Sequence, residues 1–313
     1  MTVAFVFPGQ GSQYVGMGRE LYQQYEEARA VMDAADRVLG FPLTAMCFEG
    51  PEEALGQTIN TQPAILAVSV ACLKVWHKTG GVQPKAVAGH SLGEYSALVA
   101  AGSLDFEAAV GLVRKRGQYM QEAVPVGQGG MAALLGLSAE GARELCLKAS
   151  AYGVAEAVNL NSPGQVVVAG DNSGLEAVAK MAKEAGAKRY IPLPVSAPFH
   201  SSLMRPAGDR LAKDLEEVTL SDPSVPVVAN VTADYVGSGQ DIKELLIKQV
   251  YSPVRWEESV ERLLGDGIDT FIEIGPGKVL GGLVKKINRK TRIINVEDAD
   301  SLEKALALAR EVG

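Results

Sequence analysis

Cysteine, histidine and tryptophan are scarce in this sequence: its 313 residues include three, three and two of them. Cys47, Cys72 and Cys146 are odd in number, far apart and set in apolar helical stretches. That excludes a disulfide framework and reads as buried, reduced thiols. Excess positive charge is missing too, and a net charge of −7 excludes nucleic acid or an anionic membrane as the main partner. No apolar run reaches the roughly 18 residues of a bilayer span. The N-terminus lacks the basic region, apolar stretch and cleavage site of a signal peptide, so a reducing, cytoplasmic setting is expected. What is present is 47% hydrophobic and 21% charged residues, the balance of a globular enzyme with a sizeable core.

The most informative local pattern is Gly89-His90-Ser91-Leu92-Gly93. It follows the apolar run Ala86-Val87-Ala88 and precedes a helix-compatible stretch from Glu94. Strand, tight turn and helix in that order make a nucleophile elbow with Ser91 at its apex, where small glycines let the two backbones pass closely. Unpaired N–H groups at the start of the helix face any oxyanion formed there.

Around the elbow the chain alternates strands and helices. A buried-strand pattern at residues 3–7 ends in the glycine-rich loop 8–13, and helical periodicity follows at 20–39, 62–78 and 106–123. Composition shifts at 124–130, a linker. The next stretch reads strand 131–137, helix 139–149, strands 154–158 and 165–169, helix 175–185 and strand 188–191. This β-α-β-β-α-β order is ferredoxin-like. After the proline-rich joint 192–198, strands at 225–229, 270–274 and 293–296 alternate with helices at 202–216, 242–250, 256–264, 279–287 and 302–310. The expected class is therefore α/β: an α/β-hydrolase-like large domain with a mostly parallel sheet, built from 1–123 and 199–313, into which a ferredoxin-like small domain at 124–198 is inserted.

A serine needs a base, and only three histidines are available. His77 ends an amphipathic helix beside Lys78 and reads as a surface residue. His90 adjoins Ser91 but points away from it, which suits loop fixing. His200 follows the proline-rich joint, can reach an interdomain cleft, and carries an unperturbed pKa near 6.5 that suits proton shuttling. Hydrolases of this architecture place an Asp or Glu between serine and histidine in chain order. Here Asp171 and Glu176 fall in the small domain without a strand-end signature, so the usual acid is in doubt.

Six motifs in order span nearly the whole chain: Phe7-Pro8-Gly9-Gln10-Gly11-Ser12-Gln13, Gly89 to Glu94, Arg116-Gly117 with Met120-Gln121, Asn159 to Gly164, Phe199-His200, and Glu273-Ile274-Gly275-Pro276-Gly277. In this set the chain resembles the malonyl-CoA:acyl carrier protein transacylase family of fatty acid synthesis. The acyltransferase domains of polyketide synthases share the motifs and remain an alternative. A serine esterase or thioesterase, and a non-catalytic acyl-CoA or carrier-binding module, are the other readings left open.

The resemblance implies Ser91 as the acylated nucleophile and His200 as its base, with Gln249 against the imidazole in place of an acid. Without it, Gln249 is a polar residue near a helix end. It implies backbone N–H groups of Gln10 and Leu92 as the oxyanion hole, each donor being worth about 3 to 4 kcal/mol. The rival, a phosphate-cradling loop at 9–13, lacks the Gly-Lys-Ser/Thr ending. Arg116 is implied as the partner of malonate's free carboxylate, and Phe199 as the bulk that crowds an α-methyl group. Met120 is placed at the acyl pocket or in the core.

Expected partners are malonyl-CoA and an acidic acyl carrier protein, with neither nucleic acid nor membrane, no cofactor or metal, and a monomeric state. Positive clusters at Lys188-Arg189 and at Lys285-Lys286 with Arg289 are candidate docking residues for the carrier protein, or ordinary solvated helix ends.

Overall fold

The computed structural model describes residues 1–195 and 197–312, so Ser196 of the proline-rich joint lies outside the described residues. Two sheets organise the chain. Strands β1 (Val3–Phe7), β2 (Ala86–Gly89), β7 (Val227–Val228), β8 (Thr270–Ile274) and β9 (Arg292–Val296) form a five-stranded sheet in the order β7-β2-β1-β8-β9. All its pairings are parallel. Every residue of β1 and β8 is buried, as expected for strands covered by helices on both faces. Alternation along β1 feeds two cores. Phe5 and Phe7 join a cluster with the Thr58–Lys78 helix, while Ala4 and Val6 join one with Trp256 and Phe271.

The second sheet holds β3 (Gly129–Leu135), β4 (Ala155–Ser162), β5 (Gln165–Asp171) and β6 (Arg189–Pro192) in the order β4-β5-β3-β6, all antiparallel. With helices Ala139–Ala149 and Asn172–Met181 this is the ferredoxin-like arrangement. Leu134, Val166 and Val168 face those helices in a core of their own. Met131, Val158, Val167 and Ala169 point the other way and join the core of the large sheet.

Several local expectations change. The helical stretch at 20–39 is two helices, Arg19–Gln24 and Glu26–Leu39, because Tyr25 is extended (φ −123°, ψ 127°) between them. The helix expected at 62–78 starts at Thr58, a turn before Pro63. That same helix is long and apolar enough to cross a bilayer, although its polar residues interrupt any apolar run, and 89% of its most apolar window is buried inside the protein. Its polar groups bond locally, Thr61 Oγ1 to Leu55 O at 2.5 Å and Asn60 Nδ2 to Ala54 O at 2.9 Å. The strand expected at 225–229 shrinks to Val227–Val228. Asp171 is a helix cap: its carboxylate accepts the Gly174 and Val154 N–H groups, both at 2.8 Å.

Candidate active site

The elbow sits at the C-terminal edge of the parallel sheet, where ligands of open α/β folds bind. Ser91 has φ 50°, a left-handed backbone that residues with a Cβ seldom take. The flanking glycines are there for space. A Cβ on Gly89 would lie 1.9 Å from Gly93 C, and one on Gly93 would lie 2.0 Å from Phe7 O. A Cβ on Gly9 would lie 2.4 Å from His90 O, so the first glycine-rich loop stacks directly on the elbow.

His200 also has positive φ, 64°, and turns its ring toward the elbow. Ser91 Oγ lies 2.7 Å from His200 Nε2, and His200 Nδ1 lies 2.7 Å from Gln249 O. A carbonyl can only accept, so Nδ1 carries the hydrogen and Nε2 offers its lone pair to the serine hydroxyl. The orienting group is thus the main-chain carbonyl of Gln249, and its side chain is occupied elsewhere. Gln249 Oε1 accepts from Arg116 Nη2 at 2.8 Å, while Nε2 donates to Ser91 O at 3.0 Å and Glu94 Oε2 at 2.7 Å.

Burial lowers the His200 pKa from 6.5 to about 3, with the Arg116 charge adding to the effect. Arg116 is 1% exposed. It donates from Nη1 to Gln62 Oε1 at 2.7 Å and from Nη2 to Ser91 Oγ at 3.1 Å, and sits 5.4 Å from the Tyr95 ring centroid. Among the described residues no carboxylate forms an ion pair with it, and its buried Nε has no partner. Glu94 is the nearby anion, linked through Gln249. Burial raises its pKa to about 7 against the opposing pull of Asn230, Gln249 and Arg116.

Ser91, Arg116 and His200 line one cleft with Gln10, Leu92, Met120 and Phe199. Gln62, His90, Met131, Asn159, Leu193 and Val195 complete it. The backbone N–H groups of Gln10 and Leu92 find no acceptor among the described residues. By contrast, the Ser91 N–H is taken by Asn230 Oδ1 at 2.7 Å. His90 fixes the turn, with Nε2 2.8 Å from Asn161 Oδ1 and its ring 5.7 Å from that of Trp256.

Residues 4–306 match the family model of the acyl transferase domain. The chain belongs to the acyl transferase family. It is 52% identical over 310 residues to the malonyl CoA-acyl carrier protein transacylase of Bacillus subtilis, covering 99% of this chain and 98% of that one. Against the enzyme of the same name from Escherichia coli it is 47% identical over 306 residues, covering 98% and 97%. The crystal structure of an acyl carrier protein S-malonyltransferase from Vibrio cholerae superposes with a TM-score of 0.95 at 49% identity, covering 97% and 99%. A malonyl-transacylase solved in complex with its type II polyketide acyl carrier protein superposes at 0.96 and 46% identity, covering 98% and 100%.

Other expected residues of this acyl transferase lie outside the cleft. Lys286 Nζ donates to Gln165 Oε1 at 2.6 Å, at the start of β5, and Lys285 Nζ donates to Thr291 O at 2.5 Å. Lys188 packs against Gly136, whose N–H bonds Gly164 O at 2.8 Å. The two positive clusters therefore approach the same turn of the small sheet. Sequence reasoning missed Gln62, Glu94 and Asn230 as site residues. Glu94 directly follows the elbow, whereas Gln62 and Asn230 carry no local signal.

Proposed function

We propose that this acyl transferase moves the malonyl group from malonyl-CoA to the phosphopantetheine thiol of an acyl carrier protein, through a malonyl ester on Ser91. The observation that carries the reading is a buried arginine without a carboxylate partner, 3.1 Å from the hydroxyl of a serine paired with histidine. Such a cation stabilises a substrate that brings its own carboxylate and disfavours one that leaves it unpaired.

In the first half-reaction His200 Nε2 takes the Ser91 proton while Oγ bonds to the thioester carbon. The Gln10 and Leu92 N–H groups hold the resulting oxyanion. As the carbonyl re-forms, the C–S bond breaks, and the imidazolium returns its proton to the CoA sulfur. The carrier thiol then runs the steps in reverse, giving the carrier thioester and free Ser91. Pairing malonate with Arg116 also neutralises the charge that helps depress His200, so the base is strengthened when the correct acyl group is bound. Phe199 narrows the cleft against an α-methyl group, and Met120 lines the acyl end.

Residues 124–198 form a small domain that covers the site, and Lys188, Arg189, Lys285, Lys286 and Arg289 steer the acidic carrier toward it. The buried free cysteines and acidic surface suit a soluble, cytoplasmic, monomeric enzyme supplying fatty acid synthesis. Incubation with malonyl-CoA followed by peptide mass spectrometry tests the reading. A malonyl adduct on Ser91 that is discharged by holo-carrier protein much faster than by water supports it. Rapid discharge by water alone would make the protein a thioesterase.

A further inference from the structure

The hydrogen bonds around Asn230 exceed what the proposed mechanism uses. Asn230 lies just past β7, fully buried, beside the end of β2 that carries the elbow. Its side-chain amide spans the turn: Oδ1 accepts the Ser91 N–H at 2.7 Å and Nδ2 donates to Gly89 O at 2.6 Å. Its own backbone N–H donates to Glu94 Oε2 at 3.0 Å. The same carboxylate oxygen accepts Gln249 Nε2 at 2.7 Å, and Gln249 Nε2 in turn donates to Ser91 O. Both main-chain polar groups of Ser91 are therefore held by side-chain amides, and both amide-bearing residues are tied to Glu94.

We infer that Asn230, braced by Glu94, is a positioning residue for the nucleophile: it clamps the elbow in its left-handed turn and withdraws the Ser91 N–H from the cleft. The inference rests on the reading of Ser91 as the nucleophile. Left-handed backbone at a residue with a Cβ persists only where its surroundings over-determine it, and a two-point clamp on Gly89 O and Ser91 N does that. The clamp also decides which amide serves the substrate. With the Ser91 N–H turned to Asn230, the Leu92 N–H is the elbow's donor toward the thioester oxygen.

The chemistry at position 230 is specific to a carboxamide. One planar group must present an acceptor to an N–H and a donor to a carbonyl, without charge. A carboxylate there would set an oxygen against Gly89 O, next to the Glu94 carboxylate. An aliphatic side chain would leave both buried backbone groups unpaired.

The test is rapid-quench malonylation of Ser91 at saturating malonyl-CoA, with malonyl-CoA affinity measured in parallel, for the wild type, Asn230→Ala and Asn230→Asp. A misplaced nucleophile predicts a rate constant about 100-fold lower in Asn230→Ala, with full burst amplitude and affinity within about threefold. In Asn230→Asp, the deficit relative to wild type at the same pH should be largest near pH 8 and shrink toward about pH 5.5. The protonated carboxyl there regains an O–H donor for Gly89 O. A wild-type rate constant in Asn230→Ala overturns the inference. So does a loss of burst amplitude alone, which reports only unfolded molecules. If Asn230→Ala does not accumulate as folded protein, Asn230→Asp decides: a deficit that is constant with pH overturns the clamp. Absence of any Ser91 adduct in the wild type would instead remove the functional reading, and the clamp's role with it.

Discussion

The two walls of the cleft are built on different principles. The wall from the parallel sheet carries Ser91, His200, Arg116 and the Gln10 loop. There the backbone is strained at two positions, and buried polar groups are joined by hydrogen bonds of 2.7 to 3.1 Å. The facing wall, from the small sheet, the joint after it and the residue that follows the joint, contributes Met131, Leu193, Val195 and Phe199, with Asn159 as its polar member. On the proposed function the first wall fixes the atoms that react, and the second shapes the space beside them. Changes to the first should act on rate, on stability and, at Arg116, on the demand for a carboxylate. Changes to the second should act on the choice of acyl group.

The contrast can be broken most severely at Ser91, the proposed nucleophile. Ser91→Ala should lower carrier-dependent transfer by about a million-fold, the scale seen when a serine–histidine unit loses its serine, with the melting profile unchanged. Next comes the glycine packing beneath it. Gly93→Ala places a Cβ against Phe7 O, and it should destabilise the fold by about 3 kcal/mol or more in denaturant titrations while abolishing adduct formation.

Acid tests the buried histidine. His200 ionises near pH 3 in the fold, against a free-histidine value of 6.5. Between these values the unfolded chain binds a proton that the folded chain does not, so His200 removes stability as pH falls below about 6.5 and contributes nothing above it. The full effect is about 1.4 kcal/mol per pH unit. Glu94 and Glu273 have the opposite sign. Burial raises both to about 7 from 4.5, so their stabilisation is present below about 4.5 and is lost as pH rises through 7. His200→Gln should therefore lose less stability than the wild type between pH 6.5 and 5 in chemical melts.

On the facing wall, Phe199→Leu should leave malonyl transfer within a few-fold and raise the methylmalonyl-to-malonyl ratio of kcat/KM by about 10- to 200-fold. The smallest effect belongs to the surface. Charge reversal at Lys285 and Lys286 should raise the carrier-protein KM by about an order of magnitude at low salt and hardly at all at high salt.

What the sequence disclosed follows the same division. The elbow, the β1 loop and the β-α-β-β-α-β order were legible because each depends on neighbouring residues: a glycine beside a serine, a period of two, a linker of prolines. Tertiary burial was not legible. Three histidines narrowed the base to His200, but its pKa depends on Arg116 and on packing assembled from distant segments. Gln249 was pointed out through a resemblance as the imidazole's partner, but that its main-chain carbonyl meets the imidazole while its side chain meets Arg116 depends on packing between distant segments. Asn230 was silent in the sequence because it acts on the backbone of a residue 139 positions away, and no local pattern encodes that.

On the proposed function, Arg116 makes Ser91 wait for a carboxylate. The most direct test is the Ser91 acylation rate with malonyl-CoA and acetyl-CoA in the wild type and in Arg116→Ala. The wild type should favour malonyl strongly. Loss of the buried cation should cost malonyl acylation about 100-fold or more, and the selectivity should collapse or invert toward acetyl. An unchanged malonyl-to-acetyl ratio in Arg116→Ala would mean that Arg116 does not select the acyl group.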